Sequence, residues 1–272
     1  VGHIYLGMGV GCIYNPVTGR EGEWGILEAA RDKKKVAIIG GGPAGMEAAR
    51  TCAERGHQVV LFEKDRRLGG QVQLIMRTPS REIFEEIILF FERQLERLGV
   101  EVLLGRQADV DEILGEQPEA VVVATGSSAY RPDILGTEQR HVLTSRDVIR
   151  GNAEIGQRVL VVDTLGRAEG ATTAELLVDQ GREVEIVTGL EYVARDMPAP
   201  AWHPLMEQLM LKGVTLTPFT GVWEILENSV EVYNVVTWEP RTIEGVDTVV
   251  LASGGEADDS LFHSLMGEVP QL

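Results

Sequence analysis

The chain contains one pattern of strand, turn and helix twice, and this repeat limits the fold more than any other feature. The apolar run Val36–Ile39 precedes a glycine-rich turn and a helix-forming stretch, and the run that begins at Val159 does the same. Short apolar runs bounded by charge and glycine are typical of buried strands rather than helices. Strands that alternate with helices predict an α/β protein, here with two Rossmann-like domains.

The first copy carries the glycine spacing of a dinucleotide-binding turn. Gly40 allows the tight turn, Gly42 lets the backbone approach a pyrophosphate, and Gly45 lets the next helix pack closely on the strand. The helix predicted over residues 44–54 begins at this turn. Its free N–H groups and the positive end of its dipole therefore face the phosphates.

An acidic residue ends the next predicted strand, residues 58–62. Glu63 stands about 20 positions after the glycines, where a carboxylate accepts hydrogen bonds from ribose hydroxyl groups. A turn whose glycines serve only packing is the alternative, but it does not explain this acid. The order of strand, glycines, helix, strand and acid predicts a site for a dinucleotide or its ADP half.

The second copy keeps the elements but changes the turn. Strands are predicted over residues 158–162 and 184–187, with a helix over 171–179 between them, and Gly170 takes the place of the third glycine. The turn is two residues longer than the first and starts with Asp163 instead of glycine. The βαβ unit is therefore expected to form with an altered ligand site.

Two substitutions in the second copy predict that phosphate binding is lost. Asp163 is expected to direct a carboxylate at incoming phosphates, and like charges at that range repel. Thr188 stands at the position that Glu63 has in the first copy. A variant nicotinamide site that uses Gly166 and Arg167 is the alternative, because a fold does not determine a function.

Composition and charge restrict the partners. A length of 272 residues suggests about two domains. The net charge of −17 argues against nucleic acid and anionic membranes, because both need a basic face. The apolar run over residues 87–91 is far shorter than the ~20 residues that a membrane span requires. Two cysteines in such a chain indicate a reducing, cytoplasmic compartment.

The residue pattern nominates no catalytic acid, base or nucleophile. Flavin disulphide reductases use a redox pair of cysteines, often C-x-x-C, and Cys12 and Cys52 do not form one. Cys52 lies on the packing side of the first helix and is interpreted as a small core residue. The five histidines lack the spacing of metal ligands.

The remaining pattern extends both domains. A long amphipathic helix is predicted over residues 79–98, with Thr78 as its N-cap, Pro79 in its first turn and Gly99 as its stop. Its apolar residues recur at helical spacing and indicate core. The other predicted elements are strands over 100–104 and 120–124, a helix near 203–212, and strands near 214–219, 222–226, 230–236 and 246–251.

Several of these segments together resemble flavoproteins with two dinucleotide-binding domains; they are residues 36–63, 68–71, 124–126 and 247–254. Residues 12–21, from Cys12 to Glu21, resemble more specifically the iron–sulfur flavoenzymes of the 2,4-dienoyl-CoA reductase and trimethylamine dehydrogenase family. In that family an FMN barrel like old yellow enzyme precedes a [4Fe–4S] segment and then FAD- and NAD(P)-type domains. The resemblance implies that this chain is the C-terminal nucleotide-binding part, truncated at both ends.

The resemblance also implies domain limits and site residues. It assigns residues 1–34 to the segment after the cluster, 35–126 with 255–272 to an FAD- or ADP-binding domain, and 127–254 to an NAD(P)-like domain. Cys12 matches the last of four cluster cysteines, whose three partners are absent from this chain. The implied cofactor-binding residues are Gly40, Gly42, Pro43, Ala44, Gly45, Glu63, Lys64, Gly69, Gly70, Gln71, Ala108, Thr125 and Gly126.

Within this set, residues 69–71 match the loop beside the flavin, Ala108 the backbone that lies against adenine, and Thr125 and Gly126 the strand end that closes over the cofactor. The family's later Gly-Asp strand end, which supports the ribityl chain, has no counterpart in this chain. FAD is therefore expected to bind this chain less well than ADP.

The resemblance implies the electron-relay, nucleotide-binding part of an oxidoreductase that depends on flavin and [4Fe–4S]. In an amine dehydrogenase or demethylase, FMN oxidises the amine and electrons leave through the cluster to an electron-transferring flavoprotein, with ADP in the first domain. In an enoyl reductase, NAD(P)H reduces FAD and electrons pass through the cluster to FMN. The altered second turn favours the dehydrogenase branch. A non-catalytic ADP-binding scaffold is the third interpretation, and a homo-oligomer is compatible with all three.

Overall fold

Each copy of the repeated pattern forms its own parallel sheet. The computed structural model describes residues 7–272. These residues divide into two units: the first unit comprises residues 9–76, 80–128 and 257–272, and the second unit comprises residues 7–8, 77–79 and 129–256.

The elements are numbered here in chain order. The helices are α1 Glu21–Trp24, α2 Pro43–Glu54, α3 Val72–Ile75, α4 Glu85–Arg97, α5 Val110–Gly115, α6 Ser145–Arg150, α7 Ala168–Asp179, α8 Ala199–Leu211 and α9 Ser260–Leu265. The strands are β1 Lys35–Ile39, β2 Gln58–Glu63, β3 Glu101–Leu104, β4 Ala120–Val123, β5 Ser127–Ala129, β6 Val142–Thr144, β7 Arg158–Asp163, β8 Glu183–Thr188, β9 Thr215–Thr217, β10 Thr220–Ile225, β11 Ser229–Asn234, β12 Pro240–Glu244, β13 Thr248–Ala252 and β14 Gly255–Ala257.

The first unit is a parallel sheet with helices on both faces. Its strand order is β3-β2-β1-β4. Val36 and Ile38 of β1 pack on one face with residues of α2 and α4, whereas Ala37 and Ile39 pack on the other face with α5 and α9. Both faces of β1 are therefore buried, which explains why its sequence is apolar without alternation.

The second unit has three layers. Its parallel sheet has the order β6-β13-β7-β8-β9. One face packs against α6, α7 and α8, and the other against the antiparallel sheet β10-β11-β12. The strands β5 and β14 pair as a small sheet of their own. Within residues 7–272, no helix is both long and apolar enough to cross a membrane.

The predicted start of the long helix is wrong. Ser80 has a φ of 60°, which lies in the left-handed region and interrupts any helix that begins at Pro79. A 3₁₀ turn over Glu82–Phe84 precedes α4, which ends at Arg97 close to the predicted stop. Thr78 is therefore not the N-cap, and it is buried instead.

Several short elements are absent from the sequence-based prediction, and β12 is the clearest case. Strand β12 reads Pro-Arg-Thr-Ile-Glu, and of these five residues all but Ile243 are exposed. A polar edge strand lacks the alternation of apolar and polar residues by which strands are recognised. The helix α6, by contrast, had a readable signal: Thr144 and Asp147 form a capping box, and Gly151 ends the helix.

Candidate nucleotide-binding site

The turn between β1 and α2 holds two glycines that the fold itself requires. Gly40 has a φ of 108°, and a β-carbon there would collide with the carbonyl oxygen of Ala124. A β-carbon on Gly45 would collide with the carbonyl oxygen of Gly40. These glycines let α2 and the end of β4 approach the turn closely, as the spacing predicts.

Gly42 is different, because nothing in the fold requires a glycine there. It is the N-cap of α2, and its φ of −73° and ψ of 177° suit any residue. A β-carbon built on it would meet no heavy atom within 4 Å. No side chain caps the helix at this end. The turn therefore presents open space at the positive end of a twelve-residue helix, the arrangement that binds phosphates.

Glu63 lies at the end of β2 and is held in place by the backbone. Its side chain is only 5% exposed. Oε2 accepts a hydrogen bond of 2.6 Å from the N–H of Gly41, and Oε1 accepts one of 2.7 Å from the N–H of Asp65. Each carboxylate oxygen can accept a second hydrogen bond. The acid therefore stabilises the turn, and its oxygen atoms keep acceptor capacity for a further donor.

Gly69 and Gly70 lie against the same turn. The N–H of Gly69 donates to the carbonyl oxygen of Gly41 over 2.8 Å. A β-carbon on Gly70 would lie 3.1 Å from the Cα of Gly42. The loop after β2 and the turn after β1 are thus brought together.

The strand end at Thr125 and Gly126 contacts the C-terminal part of the first unit. Thr125 Oγ1 donates to the carbonyl oxygen of Asp258 over 2.6 Å, and the N–H of Asp258 donates to the carbonyl oxygen of Gly126 over 3.0 Å. Gln71 Nε2 donates to Ser127 Oγ over 2.9 Å. These contacts connect the segment after β14 to the strand end beside Gly40.

The other predicted residues occupy varied positions. Pro43 and Ala44 form the first turn of α2. Lys64 is exposed, immediately after Glu63. Ala108 is buried and packs in the apolar layer between the sheet and α5. Sequence reasoning missed Gly41, whose N–H bonds Glu63, and Asp258; the run of three glycines was a signal for the first of these.

In the second unit, the turn between β7 and α7 is occupied by the carboxylate of Asp163. The register of β7 with β8 and β13 places Asp163 where Gly40 stands and Thr188 where Glu63 stands. Asp163 is 2% exposed, and its Oδ1 accepts hydrogen bonds from the N–H groups of Leu165 and Gly166 over 3.2 and 2.9 Å. The expectation that this carboxylate points toward incoming phosphates is therefore wrong. It takes the amide groups that a phosphate would use.

Contacts around Gly166 close the turn further. The carbonyl oxygen of Gly166 accepts the N–H of Asp196, and a β-carbon on Gly166 would collide with the Leu190 side chain. Arg167 is exposed and caps α7 with nearly the backbone geometry of Gly42. Both polar backbone groups of Gly166 are thus occupied, which weakens the alternative of a nicotinamide site built on it.

A second carboxylate lies at the start of α7. Glu169 accepts hydrogen bonds from the N–H of Gly254 and the hydroxyl of Ser145, and Arg146 lies nearby. Burial raises the pKa of Glu169, and Arg146 and these hydrogen bonds oppose the rise only in part. Burial likewise raises the pKa of Asp163. The second unit therefore places two carboxylates where a dinucleotide would bring negative charge.

Cys12 lies in an exposed turn whose backbone is directed at its sulfur. Hydrogen bonds from the N–H groups of Tyr14 and Asn15, and a weaker one from the Thr18 hydroxyl, lower the pKa of the Cys12 thiol. The thiolate is the form that binds metals, so the turn fits a metal-ligand role. Residues 7–272 contain no group of three or more histidine, cysteine or acidic side chains that could hold a metal ion. Cys52, by contrast, is half-buried against the core of the first unit, as predicted.

The family model for pyridine nucleotide-disulphide oxidoreductases matches residues 34–270. The chain belongs to this family. It is 37% identical over 231 residues to the NADH oxidase of Thermoanaerobacter brockii, and this alignment covers 84% of the chain and 36% of the oxidase. It is 32% identical over 273 residues to the N,N-dimethylglycine/sarcosine dehydrogenase of Chromohalobacter salexigens. That alignment covers 96% of the chain and 39% of the dehydrogenase.

A solved structure supports the same family relationship. The complex of 2-naphthoyl-CoA reductase with 2-naphthoyl-CoA superimposes with a TM-score of 0.88 at 31% identity, covering 96% of this chain and 39% of the reductase. The resemblance to the 2,4-dienoyl-CoA reductase and trimethylamine dehydrogenase family is thereby confirmed. The chain spans less than two fifths of the length of these relatives.

Proposed function

We propose that the first unit binds ADP, or the ADP half of FAD, within an oxidoreductase that depends on flavin and [4Fe–4S]. The open space at Gly42 carries this proposal. It lies at an uncapped helix N-terminus beside Glu63, so a pyrophosphate and a ribose would each meet the group that binds it. A glycine that neither backbone strain nor packing explains indicates close approach by a ligand.

The residues of the first unit suit binding and orientation rather than chemistry. A bound flavin would supply the electron transfer. The turn over residues 40–45 provides amide groups for the pyrophosphate, and Glu63 fixes the ribose. The loop at Gly69 and Gly70 packs on that turn and would help to hold a bound cofactor there. Cys12 would supply one of the four thiolates that such a cluster needs.

The second unit favours the dehydrogenase or demethylase branch. Asp163 occupies the amide groups of its turn, and Glu169 takes the N–H of Gly254. A nicotinamide dinucleotide would have to displace these carboxylates or lie beside them, and like charges repel. In the proposed enzyme an amine would be oxidised in another part of the protein, and this chain would relay electrons toward an external flavoprotein.

The enoyl reductase branch is the second candidate. It is favoured by the relatives named NADH oxidase and 2-naphthoyl-CoA reductase, whose identities to this chain are 37% and 31%. In that branch NADH or NADPH would bind the second unit despite Asp163. The two branches therefore differ in whether a reduced nicotinamide nucleotide binds at all.

Calorimetric titration of the chain with ADP, FAD, NADH and NADPH tests the proposal. We expect ADP to bind, and Glu63→Gln to weaken it about tenfold to a hundredfold through loss of a charge-assisted hydrogen bond. Asp163→Asn, the matched control in the second unit, should leave ADP affinity unchanged. NADH binding that changes in Asp163→Asn but not in Glu63→Gln would favour the reductase branch. Binding of ADP without FAD is expected of the dehydrogenase branch as well as of the scaffold, so it does not separate these two. Equal losses of ADP affinity in both variants would refute the assignment.

A further inference from the structure

The outer face of the sheet β10-β11-β12 carries a cluster of exposed aromatic side chains. The inner face packs on the parallel sheet of the second unit through Ile225, Val230 and Val232. On the outer face Trp223 and Trp238 are 53% and 63% exposed. Tyr233 has its ring centroid 4.8 Å from that of Trp223 and 5.3 Å from that of Trp238. We call these three residues the aromatic surface.

The backbone is shaped to present these rings. The pairing of β10 with β11 shifts between Val222 and Glu224, so Trp223 is the extra residue of a β-bulge. Bulges redirect a side chain at the expense of ladder hydrogen bonds. Trp238 has a φ of 63°, an unfavourable conformation for a bulky residue. Two irregularities therefore accompany large apolar side chains that stay more than half exposed to water.

Two carboxylates lie directly opposite each other on the same face. Glu224 of β10 is paired in register with Glu231 of β11. Like charges at such positions destabilise a sheet. Glu231 accepts a hydrogen bond from the hydroxyl of Thr242 over 2.8 Å. None of the ion pairs within residues 7–272 includes either glutamate, and Arg241 of the neighbouring strand pairs with Glu185 instead.

We propose that the aromatic surface docks an arginine-bearing segment of a partner polypeptide. A guanidinium group stacks on aromatic faces and also pairs with carboxylates, so it would satisfy both features of this face. The same carboxylates repel phosphates, which makes a nucleotide or nucleic acid a poor occupant. The chain already contains one such contact, with the Arg20 guanidinium 4.5 Å from the ring centroid of Trp24.

The proposal can be tested with a defined probe. The peptide acetyl-Gly-Arg-Gly-Arg-Gly-amide is titrated into the 272-residue chain at low ionic strength, beside the same peptide with citrulline in place of arginine. Citrulline keeps the shape of arginine but carries no charge. We expect saturable binding of the arginine peptide only. Trp223→Ala and Glu224→Gln should each weaken it about two- to fivefold, the range for exposed cation–π contacts and ion pairs.

Matched controls separate this face from the rest of the surface. Trp24→Ala removes an exposed tryptophan whose ring already contacts the Arg20 guanidinium group. Glu207→Gln removes an exposed carboxylate on α8. Neither variant should alter peptide binding. Equal binding of the citrulline peptide, or binding unchanged in both Trp223→Ala and Glu224→Gln, would overturn the proposal. So would a dimer in sedimentation velocity that Trp223→Ala abolishes, because a second copy would then be the occupant.

Discussion

Gly42→Ala should separate ligand binding from folding at the first turn. The new methyl group would meet no protein atom within 4 Å, and alanine adopts the φ of −73° and ψ of 177° without strain. Folding stability should therefore be unchanged or rise by about 0.4–1 kcal/mol, since alanine restricts the unfolded chain. Arg167 shows that the equivalent position of the second unit accepts a side chain.

The same methyl group would occupy the space proposed for the pyrophosphate. Overpacking of this kind costs about 1–3 kcal/mol, which corresponds to a dissociation constant for ADP that is about 5 to 150 times higher. Gly45→Ala is the matched control. Its methyl group would collide with the Gly40 carbonyl oxygen, so this variant should lose stability itself. Calorimetry with ADP and thermal unfolding by circular dichroism measure the two effects. Wild-type ADP affinity in a folded Gly42→Ala variant would refute the placement of the pyrophosphate.

Three further predictions concern charge. Burial raises the pKa of Glu169, so the folded chain holds the proton of this carboxyl group more tightly than the unfolded chain. The stability that results is present at low pH. It is lost as the pH rises from the ordinary pKa of 4.5 through the folded-state pKa. Between about pH 4 and about pH 7, the midpoint of thermal unfolding should therefore fall less in Glu169→Gln than in the wild type, and parallel curves would contradict this reasoning. Iodoacetamide should alkylate Cys12 before Cys52, because backbone hydrogen bonds lower the first pKa and burial raises the second; mass spectrometry of peptides decides the order. Glu224→Gln should raise stability by roughly 0.2–1 kcal/mol by relieving its repulsion with Glu231, and a lower unfolding midpoint would show that the pair does not repel.

Sequence reasoning predicted the first turn well because each of its constraints is local. The apolar run, the glycines and the acid follow one another along the chain, and the structure assembles them in that order around β1. The hydrogen bond by which Glu63 stabilises the turn could not be predicted in this way. It depends on the exact approach of the Gly41 N–H to the end of the neighbouring strand, which no residue type encodes.

The error at Asp163 has a different cause. An aspartate followed three residues later by glycine often accepts hydrogen bonds from the amides just after it, and Asp163 does so with Leu165 and Gly166. These local hydrogen bonds turn the carboxylate into its own turn and away from an incoming phosphate. The predicted start of α4 is wrong for a third reason. Ser80 adopts a left-handed conformation that only the surrounding chain can impose.

The carboxylate inside the second turn has a consequence for heat stability. Under the proposed function, the turn that supplies its own anion gains no stability from ADP in solution, whereas the open turn does. ADP at a hundred times its dissociation constant would stabilise the first unit by about 2.7 kcal/mol, and the second unit not at all. A rise in the melting temperature of the second unit on addition of ADP would then measure how strongly the unfolding of the two units is coupled.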